Sequence, residues 1–418
     1  MDDRIILHCD CNSFYASVET VLRPELAAVP MAVAGDPTNR HGIILAKNEL
    51  AKKYQIQTAE TIWSARRKCP DLVLVPPHHD LYHEYYEKIN RIYLEYTDLV
   101  EPFSIDESFL DVTHSLHLFG LTPRELADTL RRRVREELNI TISVGVSFCK
   151  VFAKLGSDYK KPDATTVIMR EDVPGIVYPL PVSALLFVGK KSAATLEQYS
   201  IRTCGDLAQY DRDFLVKILG KFGESLYTDI QCLDTDPVRS FYDKREAKSI
   251  GNSITFRQNL SGEADIRAGI NTLADSVATR LRRAHKKCTV LQVTIRDPDF
   301  KQLQRQRKLD TPTHLQREIA SVAMDLVRAN WDLDKPVRLL GVTGGDLVAE
   351  DEEAEVQLDL FSMTEQKEPS LNRENQEKLE STLDQIRAKY GKSSISLGVK
   401  HPDRGIKEDR RTADDPGE

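Results

Sequence analysis

Residues 4–11, RIILHCDC, form an apolar stretch that runs into a polar turn, which predicts a buried strand. FYASVETVL, residues 14–22, then predicts a helix. Short strands are expected at 31–35 and 42–47, short helices at 48–54 and 61–69, and a strand at 72–76. Between residues 80 and 97, Leu81, Tyr85, Ile89, Ile92, Tyr93 and Tyr96 recur at helical spacing. Residues 100–113 read as two strands around a polar turn. Residues 123–138 read as a helix whose first turn suits Pro123, and 141–149 as a strand. Strands and helices therefore alternate to about residue 168, an α/β or α+β pattern.

From about 173 to 235 the pattern changes to short helices with glycine-containing turns at 188–192 and 219–223. From 244 the strands return. Segments 253–256, 290–296 and 338–344 flank helices near 264–286 and 313–330, a β-α-β-β-α-β-like unit. Residues 349–355, AEDEEAE, predict a solvated acidic linker. QLDLF follows, a short apolar stretch. Residues 372–391 are amphipathic and close on Gly391, a plausible helix C-cap. That last helix either packs on the body or binds another protein.

Charge sharpens this division. The chain has 418 residues and a net charge of −7, which argues weakly against a nucleic-acid partner. The excess lies in residues 349–418, with 18 acidic and 11 basic side chains. Residues 240–348 carry 19 basic and 13 acidic side chains, either a solvated surface or the footprint of phosphate binding. No apolar run approaches the ~18 residues of a membrane span, so no membrane association is expected. The seven scattered cysteines, without a C-x-x-C pair or an export signal, read as reduced thiols in a cytoplasm.

Candidate chemistry rests on carboxylates at strand ends. Asp10 ends the first apolar strand, and Asp106-Glu107 sit in a second polar turn. An acid at the end of a buried strand is costly unless it is paired or bound to a cation. If the two strands are neighbours, three carboxylates converge. Such a cluster can hold two Mg²⁺ about 3.5–4 Å apart, the arrangement for in-line phosphoryl transfer. The plainer alternative makes Asp-Glu a solvent-facing turn and Asp10 a helix N-cap. Rival chemistry is weak. Gly189-Lys190-Lys191-Ser192 is not a P-loop, because residue 184 is Ala and Lys191 stands where Ser or Thr is required. His79 and His83 share a helix face but have no ligand pattern around them, and Cys9 and Cys11 fit packing better than metal binding.

Three motifs occur in order: His8-Cys-Asp-Cys-Asn-Ser-Phe-Tyr-Ala-Ser-Val-Glu19, Ser104-Ile-Asp-Glu-Ser-Phe-Leu-Asp111 and Ser143-Val-Gly-Val-Ser147. Together they resemble the palm of the Y-family, or translesion, DNA polymerases. The resemblance runs over residues 4–361, is strongest to the bacterial polymerase IV branch, and shares wording with the polymerase V catalytic subunit. It implies an α+β right hand: palm at 1–17 and 77–168, fingers at 18–76, helix-hairpin-helix thumb at 169–240, α/β little finger at 241–348, and a tail at 349–418. It implies an error-prone, template-directed DNA polymerase with two Mg²⁺ on Asp10, Asp106, Glu107 and the Cys11 carbonyl. Asn12 stands where many members have a second Asp, a position the family does not require as a ligand.

The resemblance also implies site residues outside the carboxylates. Tyr15, next to Phe14, matches the aromatic steric gate that a ribonucleotide 2′-hydroxyl would strike. Lys161 matches a triphosphate-contacting lysine. Glu49 and Lys52 stand where members often have Tyr and Arg, so Lys52 supplies a point charge rather than a fork. Residues 180–201 and 219–226 match two DNA-binding hairpins, with Gly189, Lys190 and Gly220 as contacts and Phe187 in place of a usual Gly. Lys248, Ser249, Gly251 and Arg338 match little-finger DNA contacts. Gln357, Leu358, Leu360 and Phe361 resemble a sliding-clamp-binding peptide. The implied partners are primer–template DNA, deoxynucleoside triphosphates and the clamp, with the chain otherwise a monomer. A non-catalytic DNA-binding scaffold and another palm enzyme such as a nucleotidyl cyclase are the competing readings. The carboxylate triplet argues against the first, and the thumb and little-finger likeness against the second.

Overall fold

The computed structural model describes residues 4–36, 42–243, 246–351, 370–391 and 394–395. The chain divides into two compact units, Met1–Lys244 and Arg245–Glu418.

The first unit opens with β1 (Ile6–Cys11), α1 (Phe14–Leu22), β2 (Met31–Ala34), β3 (Ile44–Lys47), α2 (Glu49–Lys53), α3 (Ile62–Lys68) and β4 (Val73–Val75). α4 (His79–Leu94), β5 (Val100–Pro102), β6 (Glu107–Asp111), α5 (Pro123–Leu138), β7 (Ile142–Ser147), α6 (Lys150–Tyr159) and β8 (Thr165–Ile168) follow. The main sheet has the order β5-β6-β1-β7-β8, and a smaller sheet has the order β3-β2-β4. β1 is antiparallel to both β6 and β7.

Both faces of the main sheet are covered, so its strands read as continuous apolar runs rather than alternating ones. Leu7, Cys9 and Cys11 share a core with Tyr82, Ile89 and Tyr93 of α4 and Leu126, Leu130 and Val134 of α5. The alternate residues of β1 take the other face, where Ile6 and Phe109 pack with Ala153 of α6. α6 lies against that face at backbone contact. A Cβ on Gly145 of β7 would stand 1.9 Å from the Ala153 carbonyl oxygen and 2.4 Å from the Ser157 nitrogen.

The small sheet is tied at one end of its central strand by Asn48. Its Oδ1 accepts from Met31 N (3.1 Å) and Ala51 N (2.9 Å), and its Nδ2 donates to the Leu26 (3.2 Å) and Val29 (2.8 Å) carbonyls. This one side chain thus caps α2 and fixes the chain entering β2. α5 starts on a full capping box between Thr122 and Glu125.

The rest of the first unit is helical: α7 (Lys190–Glu197), α8 (Cys204–Leu207), α9 (Arg212–Leu219) and α10 (Lys221–Ile230). Gly220 separates the last two at φ 65°, and Gly223 lets them touch, since a Cβ there would meet the Leu215 carbonyl oxygen at 2.0 Å.

The second unit contains β9 (Ser249–Leu260), α11 (Glu263–Arg283), β10 (Lys286–Arg296), β11 (Gln302–Thr313), α12 (Gln316–Asn330), β12 (Val337–Ala349) and α13 (Ser370–Tyr390). Its sheet has the order β11-β10-β12-β9, antiparallel throughout, with α11 and α12 packed in its core. This is the β-α-β-β-α-β order expected from the sequence.

Three points add to those expectations. The strands of the second unit run longer than their apolar segments, and β11, which no such segment marked, is exposed along most of its length and carries Arg305, Arg307 and Lys308. α6, which covers one face of the main sheet, and β8, which completes it, are marked by no sequence pattern. The C-terminal helix packs on the second unit. Arg282 of α11 donates to Asp384 (2.7 Å) and to Glu380, Arg387 pairs with Asp275 at 3.1 Å, and Glu380 accepts from Gln316 N at 3.1 Å. No described helix is long and apolar enough to cross a membrane.

Candidate active site

Strand register brings two of the three predicted carboxylates together. Asp10 pairs directly with Glu107 across β1 and β6, and Cys11 N donates to the Asp106 carbonyl at 3.0 Å. Asp10 and Glu107 therefore lie on the α6 face of the sheet, with Asp106 in the turn that enters β6. Asp10 is not a helix cap, because Ser13 occupies the N-cap of α1.

Two lysines that the sequence motifs treated unequally complete the cluster. Lys154 of α6 reaches Asp10 Oδ2 at 2.8 Å, Glu107 Oε1 at 2.8 Å and Asp158 at 3.2 Å. Lys161 reaches Asp10 Oδ2 at 2.6 Å and Asp158 at 2.7 Å. Burial pulls both ammonium groups down, but the Asp10 charge and their hydrogen bonds more than offset it, and both end above their ordinary value. Asp106 behaves in the opposite way. Burial, then the Asp10 and Glu107 charges, push its carboxyl up, against the 2.6 Å hydrogen bond from Ser104.

His8 lies behind this cluster, fully buried. Ser157 Oγ donates its one proton to the Lys154 carbonyl at 2.8 Å, so it accepts from His8 Nδ1 at 2.8 Å. That leaves His8 Nε2 facing Glu107 Oε2 at 3.6 Å. Burial, followed by the Lys154 charge, lowers this imidazole to about 3 and keeps it neutral.

The donor set suits a hard divalent cation. Among the described residues, no three ligating side chains converge as a ready-made metal site. The geometry gives the reason: the two ammonium groups hold Asp10 and Glu107, and Ser104 holds Asp106. The pocket is nonetheless organised around positive charge, and that is the observation by which the carboxylates fit Mg²⁺.

The Tyr15 ring stacks on Tyr82 of α4, with centroids 4.0 Å apart and planes at 13°. Phe14 is buried in the core beneath. Lys52 pairs with Glu49 at 2.5 Å, so its charge is partly answered locally.

The remaining predicted contacts are spread over both units. Gly189 is the N-cap of α7, without a side-chain cap, and Lys190 is exposed. Phe187 adopts φ 65°, the left-handed conformation that a glycine would take at little cost. In the second unit, Lys248 and Ser249 are exposed at the start of β9. Gly251 faces Thr343, whose Oγ1 would lie 2.4 Å from an added Cβ, so this glycine serves strand packing. Arg338 lies 4.4 Å over the Phe300 ring. Gln357, Leu358, Leu360 and Phe361 lie outside the described residues.

Comparison with known proteins gives this geometry a family. Residues 9–158 match the impB/mucB/samB family, and residues 247–360 match the C-terminal domain of that family. A DNA polymerase IV of Acetivibrio thermocellus is 44% identical over 403 residues, covering 96% of this chain and 99% of that one. The chain belongs to the Y-family of DNA polymerases. DNA polymerase IV of Clostridium kluyveri is 34% identical over 94% of this chain and 98% of the relative. DNA polymerase IV 1 of Bacillus subtilis is 37% identical over 95% and 93%. A solved Y-family DNA polymerase chimera of Dbh and Dpo4 superposes with a TM-score of 0.74 at 25% identity, over 82% of this chain and 99% of that one. This Y-family member is therefore a DNA-directed DNA polymerase with an α+β polymerase fold.

Lys154, His8 and Tyr82 contact candidate site residues, and motif reading did not assign them. For Lys154 a local signal exists, since Lys150, Lys154 and Asp158 recur every four residues, the spacing of one helix face.

Proposed function

We propose that this polymerase performs error-prone translesion synthesis, adding deoxynucleotides to a primer 3′-hydroxyl with two Mg²⁺ held by Asp10, Asp106, Glu107 and the Cys11 carbonyl. The observation that carries the reading is the pairing of Asp10 with Glu107 beside Asp106, with Lys154 bridging Asp10 and Glu107 and Lys161 on Asp10. When bound, the ions supply a lowered pKa for the attacking hydroxyl and charge to offset the departing pyrophosphate. Lys161 supports the triphosphate from the same side. Tyr15 lies under the sugar and excludes ribonucleotides by repulsion. In this reading the palm is residues 1–17 and 77–168, the fingers 18–76, the thumb 169–240 and the little finger 241–348. Small fingers at 18–76 leave a roomy site, which trades shape discrimination for tolerance of distorted templates. Gly189, Lys190, Gly220, Lys248, Ser249 and Arg338 serve the DNA backbone, with a strong salt dependence.

The test is primer extension on undamaged and lesion-bearing templates with Mg²⁺. Incorporation is expected to follow the template and to continue past a lesion that stops a high-fidelity polymerase. Extension that ignores the template would overturn the reading. Gln357, Leu358, Leu360 and Phe361 dock on a sliding clamp in this scheme, and the clamp raises the local concentration of polymerase at the primer end. Phe361→Ala is expected to abolish stimulation by the clamp while leaving clamp-free extension within about twofold. Retained stimulation would sink the docking assignment.

A further inference from the structure

A ring placed under the sugar rejects a ribonucleotide only as firmly as the ring itself is held. If a small rotation of the side chain relieves the clash, the cost of that rotation caps the discrimination. What supports Tyr15 is therefore part of its selectivity.

The support is unusually well determined. Tyr82 is 0% exposed and stacks against Tyr15 at 4.0 Å and 13°. His79 meets the Tyr15 ring edge-on at 5.8 Å and the Tyr82 ring at 5.7 Å. Phe14 closes on Tyr82 at 6.3 Å. The Tyr82 hydroxyl donates to Glu19 Oε1 at 2.6 Å. Glu19 is also 0% exposed, and it accepts from His78 Nδ1 at 2.7 Å and from Arg23 at 2.6 Å.

Glu19 is a costly way to join two helices. An apolar side chain would pack the α1–α4 contact without burying a charge. The carboxylate adds something else: a fixed acceptor that pins the hydroxyl end of the Tyr82 ring, and with it the position of the ring on which Tyr15 rests. We propose that Tyr82, held by Glu19, is a positioning residue that sets how strongly this polymerase rejects ribonucleotides. This inference rests on the reading of Tyr15 as the gate.

The experiment is single-nucleotide kinetics with a deoxynucleotide and its matching ribonucleotide. The proteins are wild type, Tyr82→Leu, Tyr82→Phe, Glu19→Gln and Tyr15→Ala, each checked by thermal melting. The readout is the ratio of kcat/KM for the ribonucleotide to that for the deoxynucleotide. Tyr82→Leu is expected to raise it roughly 3- to 10-fold, the range that a stacked aromatic pair supplies. Tyr82→Phe keeps the stacked ring but loses its bond to Glu19, and is expected to show a smaller rise than Tyr82→Leu, about that of Glu19→Gln. If Tyr82→Leu does not fold, Glu19→Gln carries the test, with an expected rise of about threefold from the weakened hydrogen bond. Equal losses for both nucleotides, with the ratio unchanged, would mark Tyr82 as merely structural and overturn the proposal. Tyr15→Ala separates the two ideas. A large rise in its ratio beside an unchanged ratio in the folded Tyr82→Leu leaves the gate standing and removes its support. No rise in Tyr15→Ala removes the gate, and this inference with it.

Discussion

Asp106→Ala combined with Glu107→Ala is expected to lower primer extension by about 10⁴-fold, equivalent to about 5.5 kcal/mol of transition-state stabilisation. The protein itself should survive the change. Asp106 is held above its ordinary value of 3.8 by burial and by its neighbours' charges, so its ionised form costs the fold free energy. Such an acid favours the folded state fully below its unfolded pKa, and that contribution is lost as pH rises through the raised folded value. Removing it should leave the melting temperature of the metal-free protein unchanged or slightly higher. Lys154 keeps Asp10 and Asp158 as partners.

Metal binding supplies a second readout of the same variant. Mg²⁺ that binds only the folded form raises its melting temperature by mass action. In wild type this rise should grow with pH as Asp106 ionises, because protons and metal compete for the same oxygens. In the double variant it should vanish. A double variant that still extends primers, or that keeps a Mg²⁺-dependent rise, would contradict the assignment of these two carboxylates.

Gly145→Ala should have the largest effect on folding. The added Cβ would lie 1.9 Å from the Ala153 carbonyl oxygen and 2.4 Å from the Ser157 nitrogen, and both are backbone atoms of α6. Neither can rotate away, so the helix must lift off β7. Gly156 of α6 sits on the same seam, where its own Cβ would stand 3.0 Å from Gly145 Cα. Overpacking of this kind costs about 3 kcal/mol or more. It would also carry Lys154 away from Asp10 and Glu107. Chemical denaturation should show a large loss of stability for the first unit, with extension lost alongside. Gly175→Ala is the control, because nothing lies within 4 Å of its added Cβ. A Gly145→Ala protein as stable as wild type would mean that α6 does not sit on β7 as closely as described.

Part of this protein is written locally in the chain. The 3.6-residue stripe of α4, the capping box and Pro123 of α5, and the glycine turn at Gly220 follow from chirality, periodicity and backbone freedom, which act over a few residues. The candidate carboxylates were legible for a similar reason, since an acid at the end of an apolar run invites a cation. The motif order and the family resemblance then named their role. α6 escaped because its ten residues, KVFAKLGSDY, carry too short an apolar pattern to separate a helix from the end of the preceding strand.

Tertiary structure decided what those residues meet. Lys154 and Asp10 are 144 positions apart, and Glu19 and Tyr82 are 63 apart. Both meetings depend on the strand order β6-β1-β7 and on which helix covers which face of the sheet. Period-2 alternation says that His8 and Asp10 share a face, but not that a backbone-close helix brings a lysine to it. The same applies to Tyr15, whose sequence shows an aromatic ring and whose tertiary setting shows what keeps that ring in place. Residue type and spacing are local properties, whereas convergence requires the chain to choose one packing of its elements among many with the same local pattern.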